Sequence, residues 1–310
     1  MRSFLVSLKN TIHFLLYIWS FQQKLKGIKN LKKYSDKEAI LKLYKDYSGK
    51  LPNLEQPITF SEKLQWMKLN YQNPLITICA DKWEVRGYLK KKGYGALLSN
   101  VISVHDTIKD FQVEKLPKNF VVKATHGSGW NLICTDKEKI NWFWWKKIMN
   151  IWLHNNIFWP GREWPYKNMK PRLIVEEFLT DTSGQLIDYK FFCFNGKVHF
   201  AQANKGRDTK NHAQNFYDLD WNILPFGKDL TPRPDITIVP PIKLKEMIAI
   251  TEDLVGELPF VRVDFYELEG QIIFGEMTFY PKSGLPDLTP EIYDVKIGEL
   301  LTLPKQLFNE

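Results

Sequence analysis

The chain has little of what staples or metallates small folds. Its 310 residues include three cysteines, Cys79, Cys134 and Cys193, far apart and each inside an apolar run. They show no CxxC spacing and cannot all pair, which argues against a disulfide framework and fits a reduced, cytosolic chain. Six histidines occur without HExxH or comparable ligand spacing, so no zinc site is expected. The GxxxxGK[ST] form is absent, which excludes a P-loop. No internal repeat or low-complexity tract appears. A membrane-spanning helix needs about 20 mostly apolar residues. Phe4 to Phe21 comes nearest, but Lys9, Asn10, Thr11 and His13 interrupt it, and no small-residue cleavage site follows.

What is present is an ordinary globular composition, 44% apolar and 25% charged, long enough for a sizeable core. The excess of 43 basic over 35 acidic residues, +8, suits a polyanionic partner such as a nucleotide, an acidic glycan or an anionic lipid, or serves solubility alone. Near the N-terminus, Leu5, Leu8, Ile12, Leu15, Leu16 and Trp19 fall at helical spacing, and Lys24, Lys26, Lys29, Lys32 and Lys33 follow. Such a helix either lies on the cytoplasmic face of an anionic membrane or packs on the protein's own body.

Beyond it, Ser35 caps a helix that Gly49 stops, and Thr59 or Ser61 caps a second. A third helix, Asp81 to Leu89, sets Lys82 and Arg86 four apart on one face, able to meet a phosphate or water. Leu116 to Thr125 reads as a strand carrying Lys123, followed by the small loop His126 to Asn131 and a returning strand, Leu132 to Thr135. Backbone N–H groups of such a loop can close over phosphates, with Lys123 as a point charge, although a Gly-Ser-Gly turn is commonplace. Asn141 to Trp164 holds six of the eleven tryptophans, with Trp144, Ile148, Ile151 and Trp152 at the spacing of a helical core. Stacking on a sugar or base is the alternative role.

Arg172 to Leu179 is an apolar strand that includes two acids, Glu176 and Glu177. Asp188 to Phe194 and Lys197 to Ala201 form a hairpin about Asn195-Gly196, a strong type I′ turn signal. Asp218 and Asp220 make a DxD pair, within what reads as a surface turn. Ile242 to Leu258 and Asp294 to Leu303 are helices. The most informative stretch is Val261 to Thr278, two alternating strands about a Gly-containing turn, which place Arg262 and Asp264 on one face and Glu276 and Thr278 on one face. Two carboxylates beside an arginine suit a divalent metal and phosphate. A plain surface hairpin is the alternative. For both acids to share a face, a three-residue loop, Leu268-Glu269-Gly270 with Gly270 left-handed, is required. It sets Arg262 opposite Glu276 and Asp264 opposite Phe274. A two-residue turn would separate the acids.

Five segments, ADKWEVRGYL, LPKNFVVKATHGSGWN, REWPYKNMKPRLIVEEFL, DYKFFCFNGKVHF and FVRVDFYELEGQIIFGEMTFYPKSGL, together resemble, in order, the ATP-grasp superfamily. They are most similar to its TupA-like branch, associated with teichuronopeptide and other polysaccharide biosynthesis. The resemblance runs from about Thr59 to Leu303. It implies an α+β fold in which ATP is clamped between two α+β lobes. The implied division is an N-terminal amphipathic and basic segment (1–34), a helical region (35–115), a lid (116–182) and a C-terminal subdomain (183–310).

By the same resemblance, Lys82 and Lys123 would hold the ATP phosphates, under a loop containing His126, Gly127, Ser128 and Gly129. Glu176, Glu177, Phe178 and Leu179 would run along adenine, and Asp188 would meet the ribose. Asp264 and Glu276 would hold Mg²⁺, with Arg262 and Lys123 serving the transferred phosphoryl group. Relatives usually carry Asn two residues after the second acid; Thr278 stands there as a poorer ligand. The implied reaction joins a carboxylate to an amine through an acyl phosphate. The implied partners are an acidic sugar or polysaccharide precursor and an amino acid or amine, with no nucleic acid. An ATP-grasp sugar kinase, a glycosyltransferase using Asp218 and Asp220, and a non-catalytic glycan-binding module are the competing readings.

Overall fold

The structure, a computed structural model, describes residues 31–180, 186–206, 212–228 and 232–306. The apolar part of the expected N-terminal helix and the turn expected at Ser183-Gly184 lie outside them.

The start signals in the sequence act as expected. Helix α1 (Asp36–Ser48) carries a capping box in which Ser35 and Glu38 each bond the other's backbone, and it ends at Gly49. Helix α2 (Phe60–Asn70) has the same device in Thr59 and Glu62. Helices α3 (Pro74–Ala80) and α4 (Glu84–Lys91) follow, so Lys82 sits in the turn before α4 rather than on it. Asn141 caps α5 (Trp142–Leu153), whose Ile148, Met149 and Trp152 are buried, so the tryptophan-rich stretch is mainly core. The remaining helices are the short α6 (Phe158–Gly161), then α7 (Leu244–Val255) and α8 (Ile292–Leu300).

All named strands pair antiparallel. A four-stranded sheet combines β1 (Val101–His105), β2 (Phe120–Ala124), β3 (Asn131–Cys134) and β4 (Leu173–Glu177) in the order β1-β4-β2-β3. Helix α5 packs on it, and Phe120, Val122, Leu132, Val175 and Trp152 share one apolar cluster. The sheet takes its edge from β1, so it begins well upstream of the lid boundary expected at residue 116. Strand β1 is too short and irregular to announce itself, and pairing with β4 defines it.

The second sheet has five strands: β5 (Asp188–Phe194), β6 (Lys197–Lys205), β7 (Ala213–Tyr217), β9 (Phe260–Leu268) and β10 (Gln271–Thr278), in the order β10-β9-β5-β6-β7. Strands β8 (Gly227–Lys228) and β11 (Leu288–Thr289) form a separate two-stranded ribbon. Helix α7 packs across β5, β6 and β9. Between Val261 and Phe265, alternation gives β9 an apolar face, Val261, Val263 and Phe265, all fully buried. The other face is left for Arg262 and Asp264. The three cysteines are free and buried in the two cores. Among the described residues, no helix is long and apolar enough to cross a membrane.

Helices α2 and α8 are joined by a buried polar clamp. The Asp294 carboxylate accepts from the Ser61 backbone N–H at 3.0 Å and from its hydroxyl, and Tyr44 Oη lies 3.0 Å from the same hydroxyl. Removing the acid strands buried donors. Asp294→Ala should therefore cost about 2–3 kcal/mol in urea denaturation, while Asp294→Asn should lose less.

Candidate active site

The β9–β10 hairpin reaches the expected face by a different route. Its turn has two residues, Glu269 and Gly270, both at positive φ (50° and 76°), with Leu268 directly opposite Gln271. That register alone would put the two acids on opposite faces. A bulge between Phe274 and Glu276 absorbs one residue, Gly275, and restores the parity. Asp264 therefore faces Glu276 directly, and Arg262 faces Thr278, not Glu276. Gly275 is needed for space: a Cβ there would lie 2.9 Å from the Asp264 carbonyl oxygen.

Around this pair the sheet builds an alternating row of charge. Asp264 is 3% exposed. It accepts from Arg262 Nε at 2.7 Å and Nη2 at 2.8 Å, and it also pairs with Lys190 on β5. Lys190 Nζ continues to Asp188 at 2.7 Å. On the far side, Arg262 Nη2 donates to Glu276 Oε1 at 3.1 Å and Thr278 Oγ1 at 3.0 Å, and Thr278 donates to the same Glu276 oxygen. Burial pushes the Asp264 carboxyl up, against the pull of Arg262 and Lys190. Burial also opposes ionisation of Glu276, but Lys82, Arg262 and Lys190 outweigh it and hold that carboxyl down at about 2.

Lys190 was not among the residues singled out from sequence. Its signal was present, since a residue two after Asp188 on a strand must share its face.

The opposing wall comes from the four-stranded sheet. A cavity of about 450 Å³ is lined by Lys123, Glu176, Glu177, Phe178, Leu179 and Asp188, residues from both sheets. This is the size range of a small-molecule site. Within the wall, the buried Glu176 carboxylate pairs with Lys123 at 2.6 Å and Arg86 at 3.3 Å and accepts from Ser99 Oγ at 2.9 Å. Together Lys123, Ser99 and Arg86 lower the Glu176 carboxyl although burial acts the other way. Arg86 is thus committed to Glu176 rather than set beside Lys82 for phosphate. Lys82 bridges to the small loop, its backbone N–H donating to the Thr125 carbonyl at 3.2 Å and its Nζ to the Gly127 carbonyl at 2.6 Å. Burial lowers the Lys82 amine, with Glu276 the strongest charge opposing that shift.

One member of the loop departs from expectation. His126 is buried beside the four-stranded sheet, its Nε2 2.9 Å from the Trp152 carbonyl oxygen and its ring edge-on to Trp130. It anchors the loop's base and does not cover the cavity. Gly127 is also buried, and a Cβ there would strike the Trp130 ring. Between β2 and β3, only Ser128 and Gly129, at the tip, are exposed. Within the DxD pair, Asp218 is spent locally: it accepts from the backbone N–H groups of Asp220 at 3.0 Å and Asn222 at 2.7 Å, closing its own turn.

Two outcomes follow from this geometry. Gly275→Val should distort the bulge and lose about 1–3 kcal/mol in urea denaturation. Because the Glu276 carboxyl lies at about 2 against an ordinary 4.5, its contribution to stability is present above 4.5 and lost as pH falls toward 2. Glu276→Gln should flatten that acid limb in denaturant titrations at stepped pH.

The TupA-like ATP-grasp family matches residues 62–302. No curated protein matches the chain. Among solved structures, a D-alanine–D-alanine ligase from Bacillus anthracis complexed with ATP is 14% identical, with 65% of this chain and 54% of that chain covered and a TM-score of 0.39. The ADP complex of PurK, N5-carboxyaminoimidazole ribonucleotide synthetase, gives 13%, 69%, 49% and 0.40. An L-amino acid ligase from Bacillus licheniformis gives 13%, 76%, 44% and 0.39. The chain spans about half the length of these proteins. With the match extending from the first turn of α2 to just past α8, the chain belongs to the TupA-like ATP-grasp family.

Proposed function

We propose that the protein is an ATP-dependent carboxylate–amine ligase, joining an amino acid or amine to an acidic sugar unit in cell-surface polysaccharide biosynthesis. The observation that carries the reading is the continuity of the site. The cavity between the sheets meets, at Asp188, the charged row that runs through Lys190, Asp264 and Arg262 to Glu276. A nucleotide laid from Glu176–Leu179 past Asp188 would bring its phosphates to that row, with Lys123 and Lys82 on the opposing wall. The polysaccharide context is drawn from the family, and a basic chain of +8 suits an acidic acceptor.

Asp264, Glu276 and the Thr278 hydroxyl offer oxygen donors only, the set a hard divalent cation such as Mg²⁺ prefers. Arg262 Nη2 already lies within 3.1 Å of oxygens from both acids, so the pair is placed to share one cationic group. When bound there, Mg²⁺ would neutralise charge on the phosphoryl oxygens. In the reaction, an acceptor carboxylate oxygen attacks the γ-phosphorus, the bond to the β–γ bridging oxygen breaks, and ADP leaves. The amine nitrogen then attacks the acyl carbon, phosphate departs with the former carboxylate oxygen, and the amine sheds a proton. Arg262, Lys190, Lys82 and Lys123 supply the positive field for the first step. Closure of the Ser128-Gly129 tip would keep water from the acyl phosphate.

The demand for ATP sets the work in the cytoplasm, which suits three buried free thiols. Contact of the N-terminal segment with the inner membrane face remains part of the proposal, on its apolar and lysine pattern alone.

ADP release, screened with amino acids against acidic sugar nucleotides or oligosaccharides and confirmed by product mass, tests the reading. Asp264→Asn and Lys123→Ala should each lower ADP formation at least 100-fold with the fold intact, and Asp218→Asn should change it less than twofold. Loss of activity with Asp218→Asn alone would overturn the assignment in favour of a glycosyltransferase.

A further inference from the structure

The charged row has a neutral neighbour that the reading above leaves unused. On β6, Gln202 and Asn204 alternate onto the cleft face: Gln202 stands directly opposite Lys190, and Asn204 directly opposite Asp188. Directly opposite residues hold their Cβ atoms about 4.5–5.5 Å apart, so each amide adjoins its charged partner. Asn204 is 3% exposed yet lines the cavity, together with Asp188, Gly206 and Tyr266. Its Nδ2 has no hydrogen-bond partner among the described residues, and the same holds for Gln202 Nε2. A buried amide donor left unpaired is costly, and a Leu or Val in its place would pack without that cost. The sheet retains a buried amide donor on a residue that lines the cavity, with no acceptor for it among the described residues.

The chemistry beside Asn204 limits what can receive it. A phosphate is disfavoured there, because the Asp188 carboxylate stands directly across. A hydroxyl suits both groups, giving its hydrogen to a carboxylate while its oxygen accepts from an amide N–H. A vicinal diol satisfies the pair fully. The place along the cleft also fits a sugar, since Asp188 lies between the Glu176–Leu179 wall and the Lys190–Asp264 row. We propose that Asn204 is a specificity residue that, with Asp188, reads the ribose hydroxyls of the nucleotide and so discriminates against deoxynucleotides. The assignment rests on the ATP-ligase reading of this cleft and extends it to a residue on a different strand.

The test is equilibrium binding of Mg²⁺ complexes of ATP, 2′-deoxy-ATP, 3′-deoxy-ATP and ITP to the full chain, its Asn204→Leu variant and its Asn204→Ala variant. Loss of one such hydrogen bond corresponds to roughly tenfold in affinity. The native chain should bind ATP about tenfold more tightly than at least one deoxy analogue. Asn204→Leu should bind ATP and that analogue alike, at the native affinity for the analogue. Its thermal unfolding should match or exceed the native value, because the unpaired buried donor is gone. Asn204→Ala should show the same lost discrimination if Asn204→Leu folds poorly.

Equal weakening of ATP and both deoxy analogues in the variants would make Asn204 structural and overturn the proposal. So would native-like discrimination in the variants, or a changed preference confined to ITP, which would assign the amide to the base. If the native chain binds none of the four nucleotides, the ATP reading itself falls; if it binds ATP but the variants discriminate as before, only the role of Asn204 does.

Discussion

Everything in the cleft depends on how the five-stranded sheet buries the Asp264 carboxyl between two cations. An isolated carboxylate moved from water into a protein interior is strongly penalised, and only close, well-oriented cations recover the loss. Here the recovery comes from Arg262, two residues along the same strand, and from Lys190 on the adjacent strand. Each cation then reaches a further acid, Lys190 to Asp188 and Arg262 to Glu276. The result is one row of alternating sign laid across three strands. It fixes which face of the sheet is wet and why β9 must bury its other face completely.

The opposing wall uses the same economy. Lys123, the cation best placed for a phosphate, rests on Glu176, which Arg86 and Ser99 also hold. A polyanion entering the cavity therefore takes Lys123 from a carboxylate that keeps two other partners, so no buried acid is stranded by the exchange. Lys82 differs, since it touches the loop through the Gly127 carbonyl while feeling Glu276 on the other sheet. It is the electrostatic thread between the two walls.

The elements were legible in sequence where a local rule decided them. Ser35, Thr59 and Asn141 are caps because their side chains can reach nearby backbone N–H groups, and the structure uses all three. Asn195-Gly196 adopts the paired positive φ values that its sequence favours. What escaped was set by partners distant in the chain. Strand β1 exists because β4 pairs with it, and Arg86 left its helix face for a glutamate 90 residues away. Nor does a loop's sequence say which of its side chains turn inward, as His126 does here. In the candidate site, Asp264, Glu276 and Arg262 were found from strand periodicity. Their mutual register was not, because a turn and a bulge can trade one residue without changing the faces.

That trade turns the hairpin into a counting device. The acids meet because the odd residue at Gly275 offsets the even count of the Glu269-Gly270 turn. Between Asp264 and Glu276, the chain therefore carries a parity rather than a length. Gain or loss of one residue in this segment inverts one acid into the apolar core. Paired changes leave both where they are, as long as a glycine remains beside the Asp264 carbonyl. The tip is free to vary in steps of two while the same two carboxylates stay side by side.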